Sequence, residues 1–272
     1  ASCFGNRLNA PACRVVKLVD SISLEVAAST QSVYNTAHHA LVNIARIKKG
    51  DRVLVHAAAG GVGHAAISVC QHVGAIVYAT ASAGKRAAVK AMGVDHIYDS
   101  RSTSWFADVM RDTGNRGVDA VLNSLAGKHQ QLGVQALAPG GRFLEIGKLD
   151  IYDNAKMGLL ALRKNGSFVA IDMDRLALDD APLTIRTTAE VFDLVAKGAY
   201  RPIPATIFPM DRIRDAIELI KAGKHMGKVV LSNYSASEGA PVPVRVLMPQ
   251  RIYHSNATYL ITGGAGGFGS KV

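Results

Sequence analysis

Glycines placed where a strand passes into a helix suit one task well, because they let backbone N–H groups close on an anion. The run VLVHAAAGGVG at 53–63 has this form. Gly60 and Gly63 hold the second and third glycine positions of a GxGxxG fingerprint, and Ala58 replaces the first. With no side chains at Gly60, Gly61 and Gly63, and with Val62 opening the helix, the helix N-terminus is open to the diphosphate of a dinucleotide. Glycine is also the ordinary residue of tight turns, so the loop takes its weight from its setting between a strand and a helix.

The end of the second strand bears on which dinucleotide. An NAD site carries a carboxylate about twenty residues past the loop, for the ribose 2′-hydroxyl. Thr80 stands there, and residues 80–86 contain no carboxylate. Ser82, Lys85 and Arg86 instead offer a hydroxyl and two cations to a 2′-phosphate, with Arg101 at the end of the third strand as a further cation. NADPH is the expected cofactor. The alternative for Lys85 and Arg86 is a solvated first helical turn, which sets cations against the helix dipole unless an anion compensates.

These residues need a sheet to hold them. Apolar runs at 52–57, 76–80, 96–98, 118–123, 142–146 and 168–172 read as strands, with helices at 62–73, 85–92, 104–113 and 130–137 between them. Repeated βα units predict a doubly wound parallel α/β sheet of the Rossmann class. Ahead of it, a strand is expected at 14–19 and a helix at 29–47, closed by Lys48, Lys49 and Gly50. Behind it come helices at 187–196 and 211–221, an extended stretch at 201–208 and a strand at 228–232. A Pro-bearing linker follows at 235–243, then a strand from 257 and a second glycine loop at 263–269.

The composition excludes more than it selects. Of 272 residues, 49% are hydrophobic and 26 are glycine, which suits a globular α/β protein. A net charge of +10 could signal nucleic acid, but the cations are scattered without aromatic interleaving, so no nucleic-acid partner is expected. Cys3, Cys13 and Cys70 form no CxxC pair, which points to a reducing, cytoplasmic setting rather than a disulfide framework. No apolar run is long enough to cross a membrane. His38, His39, His56 and His64 lack metal-ligand spacing and read as pocket lining or packing, so no metal is expected.

Further motifs make the chain recognisable: Thr36-Ala-His-His-Ala-Leu41, AAAGGVG, Tyr98-Asp-Ser-Arg101, a run 117–127 containing NSLAG, and a run 140–148 ending in EIGK. Together they resemble the enoyl reductase domains of type I polyketide and fatty acid synthases, in the zinc-free, quinone-oxidoreductase-like branch of the medium-chain dehydrogenase/reductase superfamily. Residues 258–269 resemble the opening of a ketoreductase. The resemblance implies the tail of a GroES-like substrate domain at 1–28, an NADPH-binding Rossmann domain at 29–180, and a segment returning toward the substrate domain at 181–232. A linker at 233–256 and a ketoreductase-like start at 257–272 complete that division. Where relatives often have aromatic residues, His38 and His39 stand.

The same resemblance implies reduction of an α,β-unsaturated thioester on an acyl carrier protein, within a homodimeric synthase that also holds ketoreductase and dehydratase domains. Lys148, following a strand at the carboxyl edge of the sheet, is the candidate donor or acid, with Asp172 as its acidic partner; a structural surface pair is the alternative. Asn123 and Ser124 are expected beside the nicotinamide ribose, with Leu125, Ile146 and Gly147 next to them. Thr36 is a further cofactor contact or a helix cap, Lys228 could close over the cofactor from the returning segment, and Glu145 reads as structural. Two other functions stay open: a free-standing NADPH quinone or enone reductase, and a silent scaffold domain. With the front of the substrate domain missing, weak turnover is expected of the chain alone.

Overall fold

A computed structural model of the chain describes residues 10, 11 and 15–233. Cys3, Cys13, Arg14, all but the first residue of the linker expected at 233–256 and the ketoreductase-like stretch at 257–272 lie outside the described residues.

The six apolar runs form β1 (Arg52–Val55), β2 (Ile76–Ala81), β3 (His96–Asp99), β4 (Val118–Asn123), β5 (Leu137–Glu145) and β6 (Ser167–Ala170). All neighbours pair in parallel, in the order β3-β2-β1-β4-β5-β6. Strands buried on both faces need apolar side chains in both directions. Accordingly Val53 and Val55 pack into one core and Leu54 into the other, each 0% exposed. The strand order reverses beside β1, so the crevice between the carboxyl ends of β1 and β4 is where such a sheet meets its ligand.

Helices cover both faces: α1 (Leu24–His38), α2 (Gly61–Val73), α3 (Arg86–Ala91), α4 (Trp105–Asp112) and α5 (Lys128–Gln135), then α6 (Leu149–Tyr152), α7 (Met173–Asp179), α8 (Ala181–Ala196) and α9 (Ile213–Lys221). Gly74, at φ 81°, closes α2 by turning its N–H back to the Cys70 and Gln71 carbonyls. On one face α1 packs between α2 and α8, around Tyr34, Leu41 and Ile67. On the other, Trp105 and Val109 of α4 meet Tyr78, Val121 and Phe143. The returning segment forms a separate parallel pair, β7 (Ala205–Pro209) with β8 (Lys228–Ser232).

Two expectations need correction. Residues 15–19 form no strand; no neighbouring strand among the described residues offers them partners, and Val16 and Leu18 pack on the core instead. The helix expected at 29–47 starts at Leu24, because Ser23 caps it by accepting from the Val26 N–H at 3.3 Å. It then widens into a π-helical turn at His39–Ile44.

Candidate active site

The glycine loop leaves β1 through Ala57, held at a left-handed φ of 51°. Thr80, at the end of β2, braces this turn from beneath and is 0% exposed. Its hydroxyl accepts from the Ala57 N–H at 3.3 Å and lies 3.0 Å from His56 Nδ1, and its carbonyl takes the Ala58 N–H at 2.9 Å. Burial, with the nearby His129, pushes the His56 pKa down to about 3, so the imidazole is neutral. Its ring meets Trp105 edge-on at 4.7 Å. Both His38 and His56 are buried, as packing residues are, and His38 Nδ1 lies 2.9 Å from the Tyr200 hydroxyl.

The glycines after this turn are needed for close approach. A Cβ at Gly63 would run into the Ala58 backbone, and one at Gly61 would stand 2.9 Å from the Lys228 side chain and 3.0 Å from Val33. Gly61, Val62 and Gly63 open the first turn of α2, where a helix has N–H groups without internal acceptors. The returning segment latches on here: the Gly227 N–H donates to the Ala59 carbonyl at 3.1 Å. Thr36 lies three residues beyond Val33 in the body of α1, its hydroxyl donating to the Ser32 carbonyl at 2.8 Å, so it is not a cap.

A cavity of about 210 Å³ beside the loop is lined by Gly60, Ser82, Lys85, Ser100, Arg101 and His225, among others. Lys85 crosses it, donating to the Gly223 and His225 carbonyls at 2.7 Å each. Arg86 turns away to Asp99, 3.3 Å from its carboxylate, and does not line the cavity. Of the expected cations, Lys85 and Arg101 therefore come together.

A second group gathers where β4 and β5 end. Ser124, Leu125, Gly147 and Lys148 line a cavity of about 130 Å³. Ile146 donates its N–H to the Asn123 carbonyl at 2.9 Å, which locks the two strand ends together. Lys148 is gripped by two carboxylates: Asp174 at 2.6 Å and Asp172 at 3.2 Å. The hydrogen bonds that Lys148 donates to Asp174 and then to Asp172 raise its pKa above the ordinary value. Burial alone would raise the Asp172 carboxyl, but the Arg175 N–H and Lys148 outweigh it and hold it low. Asp172 also caps α7, accepting from the Asp174 and Arg175 N–H groups at 3.0 and 3.1 Å. Sequence reasoning missed Asp174; the visible signal was a second carboxylate two residues past the strand end. A larger, mostly apolar cavity of about 520 Å³ lies between α1 and α8 and includes none of the expected site residues.

A family model described as zinc-binding dehydrogenase matches residues 92–231. One component of the phenolphthiocerol/phthiocerol polyketide synthase of Mycobacterium tuberculosis is 41% identical over 99% of this chain, a stretch that makes up 12% of that protein. Among solved structures, the nucleotide-binding subdomain of the enoyl reductase domain of PpsC from Mycobacterium tuberculosis is 42% identical, with a TM-score of 0.60 over 63% of this chain and 96% of that one. The chain belongs to the polyketide synthase enoyl reductases. The CurK enoyl reductase, 33% identical, superposes with a TM-score of 0.74 over 82% of this chain and 67% of that one. Although this enoyl reductase matches a zinc-binding dehydrogenase model, no three His, Cys, Asp or Glu side chains among its described residues are grouped to hold a metal. The fold takes a nicotinamide cofactor, and the enoyl reductase fits one: Gly60 of the glycine loop borders a cavity that also holds Ser82, Lys85 and Arg101, groups suited to an anionic ligand.

Proposed function

We propose that this chain binds NADPH and reduces the α,β double bond of an acyl thioester carried on an acyl carrier protein. The observation that carries the reading is the pairing, along one sheet edge, of a glycine loop beside a cavity lined by Lys85 and Arg101 with a lysine held between two carboxylates. In this reading Gly60, Gly61, Val62 and Gly63 hold the diphosphate, and Ser82, Lys85 and Arg101 receive the 2′-phosphate, with Arg86 supporting them by neutralising Asp99. Asn123, Ser124, Leu125, Ile146 and Gly147 form the floor for the nicotinamide end, with Thr36 and Lys228 flanking the cradle.

A bound reduced nicotinamide supplies hydride to the substrate's β-carbon. Lys148 then faces the negative charge that develops on the thioester oxygen, and its ammonium stabilises that enolate. The α-carbon takes up a proton, from Lys148 or from water. Asp172 and Asp174 aim the ammonium and keep it charged.

Since the chain spans 12% of that mycobacterial synthase component, we place it within a longer cytoplasmic synthase, beside ketoreductase and dehydratase domains and in a homodimer. No helix among the described residues is long and apolar enough to cross a membrane. The test is the 272-residue chain mixed with NADPH and a crotonyl thioester. Saturated thioester formed with matching loss of NADPH supports the reading; turnover of quinones and not thioesters would replace it.

A further inference from the structure

Glu145 ends β5 and is 2% exposed, yet it is not one of the groups that the proposed reaction uses. A buried carboxylate is costly unless its oxygens are met by donors, and an apolar residue would fill such a place more cheaply. Here three donors converge. Asn123 Nδ2 at 2.6 Å and Gln130 Nε2 at 2.9 Å donate to Oε2, and the Gly147 N–H donates to Oε1 at 2.6 Å.

Those partners come from three places: Asn123 ends β4, Gln130 lies in α5 and Gly147 is in the turn after β5. Asn123 also exchanges bonds with Leu125, its Nδ2 donating to the Leu125 carbonyl at 2.7 Å and its Oδ1 accepting the Leu125 N–H at 3.2 Å. Gly147 is pressed so close that a Cβ there would stand 2.7 Å from Glu145 Oε1. The next residue is Lys148. One carboxylate therefore joins the end of β4, α5 and the turn from which Lys148 departs.

We propose that Glu145 is the positioning residue of this site: by gripping the Asn123 amide and the Gly147 N–H together, it sets where Lys148 leaves β5 relative to the Asn123–Leu125 floor. The inference rests on the reading that these loops hold the nicotinamide end. Burial leaves the Glu145 pKa raised above its ordinary value, with Asp150 adding to the rise, although the Gln130, Asn123 and Gly147 donors pull it down. All three partners present N–H groups to its oxygens.

The test compares Glu145→Gln and Glu145→Asp with the parent chain by three readouts: thermal midpoint, hydrogen exchange of the Gly147 and Lys148 amides without cofactor, and NADPH affinity by fluorescence titration. In Glu145→Gln the side-chain oxygen can still take the Asn123 and Gln130 donors, but its NH2 then faces the Gly147 N–H. Glu145→Asp keeps the charge and shortens the reach, so one of the two is expected to stay folded. In a folded variant, lost protection at Gly147 with NADPH affinity lower by about tenfold or more supports the role, that being the scale of one charge-assisted hydrogen bond. Unchanged exchange at Gly147, or unchanged affinity in a folded variant, overturns it. If the parent chain binds no NADPH, the function reading fails by itself, and the exchange measurement still decides whether Glu145 anchors the turn.

Discussion

In the proposed reaction Lys148 carries the most chemistry, and two carboxylates hold it in place. Its ammonium is bonded to Asp174 and Asp172, and both raise its pKa above the ordinary lysine value. A lysine raised in this way stays charged through the neutral range, and its ion pairs are lost only as pH climbs past the folded-state value. The profile of kcat should accordingly show no alkaline limb from Lys148 below about pH 10. A limb near neutrality that disappears in Lys148→Met would contradict this. Asp172 behaves oppositely: its lowered pKa keeps the pair intact as pH falls, until the carboxyl is protonated below its ordinary range. Lys148→Met should lower kcat by about a hundredfold to a thousandfold, with NADPH affinity little changed, since a single positioned donor has that worth. Stopped-flow turnover with a crotonyl thioester checks both parts, and loss of NADPH binding instead would move Lys148 into the cofactor site.

At the scale of elements, the returning segment meets the Rossmann unit at several places, among them α8 on α1 and the Lys85 bonds to Gly223 and His225, and one of these contacts is a tight glycine. Gly227 sits at φ 62°, and a Cβ there would collide with the Pro204 carbonyl, while its N–H holds the Ala59 carbonyl. Gly227→Ala should cost about 1–3 kcal/mol in urea unfolding, from backbone strain alone. A neutral result would mean that β8 is not held against the glycine loop. Trp105, 0% exposed under β1 and β4, is a larger loss, and Trp105→Ala should cost about 3–5 kcal/mol. The βα alternation was legible because strand and helix periods differ and because buried parallel strands are apolar throughout; β8 was located at 228–232 from its pattern, with the same bounds. Residues 15–19 misled because an apolar, β-branched run does not reveal whether a partner strand stands beside it. That the glycine loop, Lys85 and Arg101 gather at one strand end and Lys148 at another was legible because the βα alternation places them there. Asp174 was visible as a second carboxylate beside Asp172, but its bond to Lys148 and the three-donor grip on Glu145 were not, since they depend on how separate strand ends meet.

For the whole molecule, ligand and stability are linked. A cofactor that binds only the folded chain stabilises it by about 2.7 kcal/mol at a hundred times its Kd. For a chain of this size that raises the melting midpoint by roughly 5–10 °C. NADPH should give that shift, and NADH at equal concentration should give much less. The comparison also separates a working cofactor site from a silent scaffold, in which neither nucleotide would move the midpoint.

The most direct measurement is a pair of fluorescence titrations, NADPH against NADH, on the parent chain and on Arg101→Ala. NADPH is expected to bind the parent at least about tenfold tighter than NADH, with Arg101→Ala removing most of that preference while leaving NADH affinity unchanged, as loss of one charge-assisted contact to a phosphate requires. Equal affinities for the two nucleotides in the parent chain, or no binding of either, would contradict the claim that the loop after β1 and its neighbouring cations form an NADPH site.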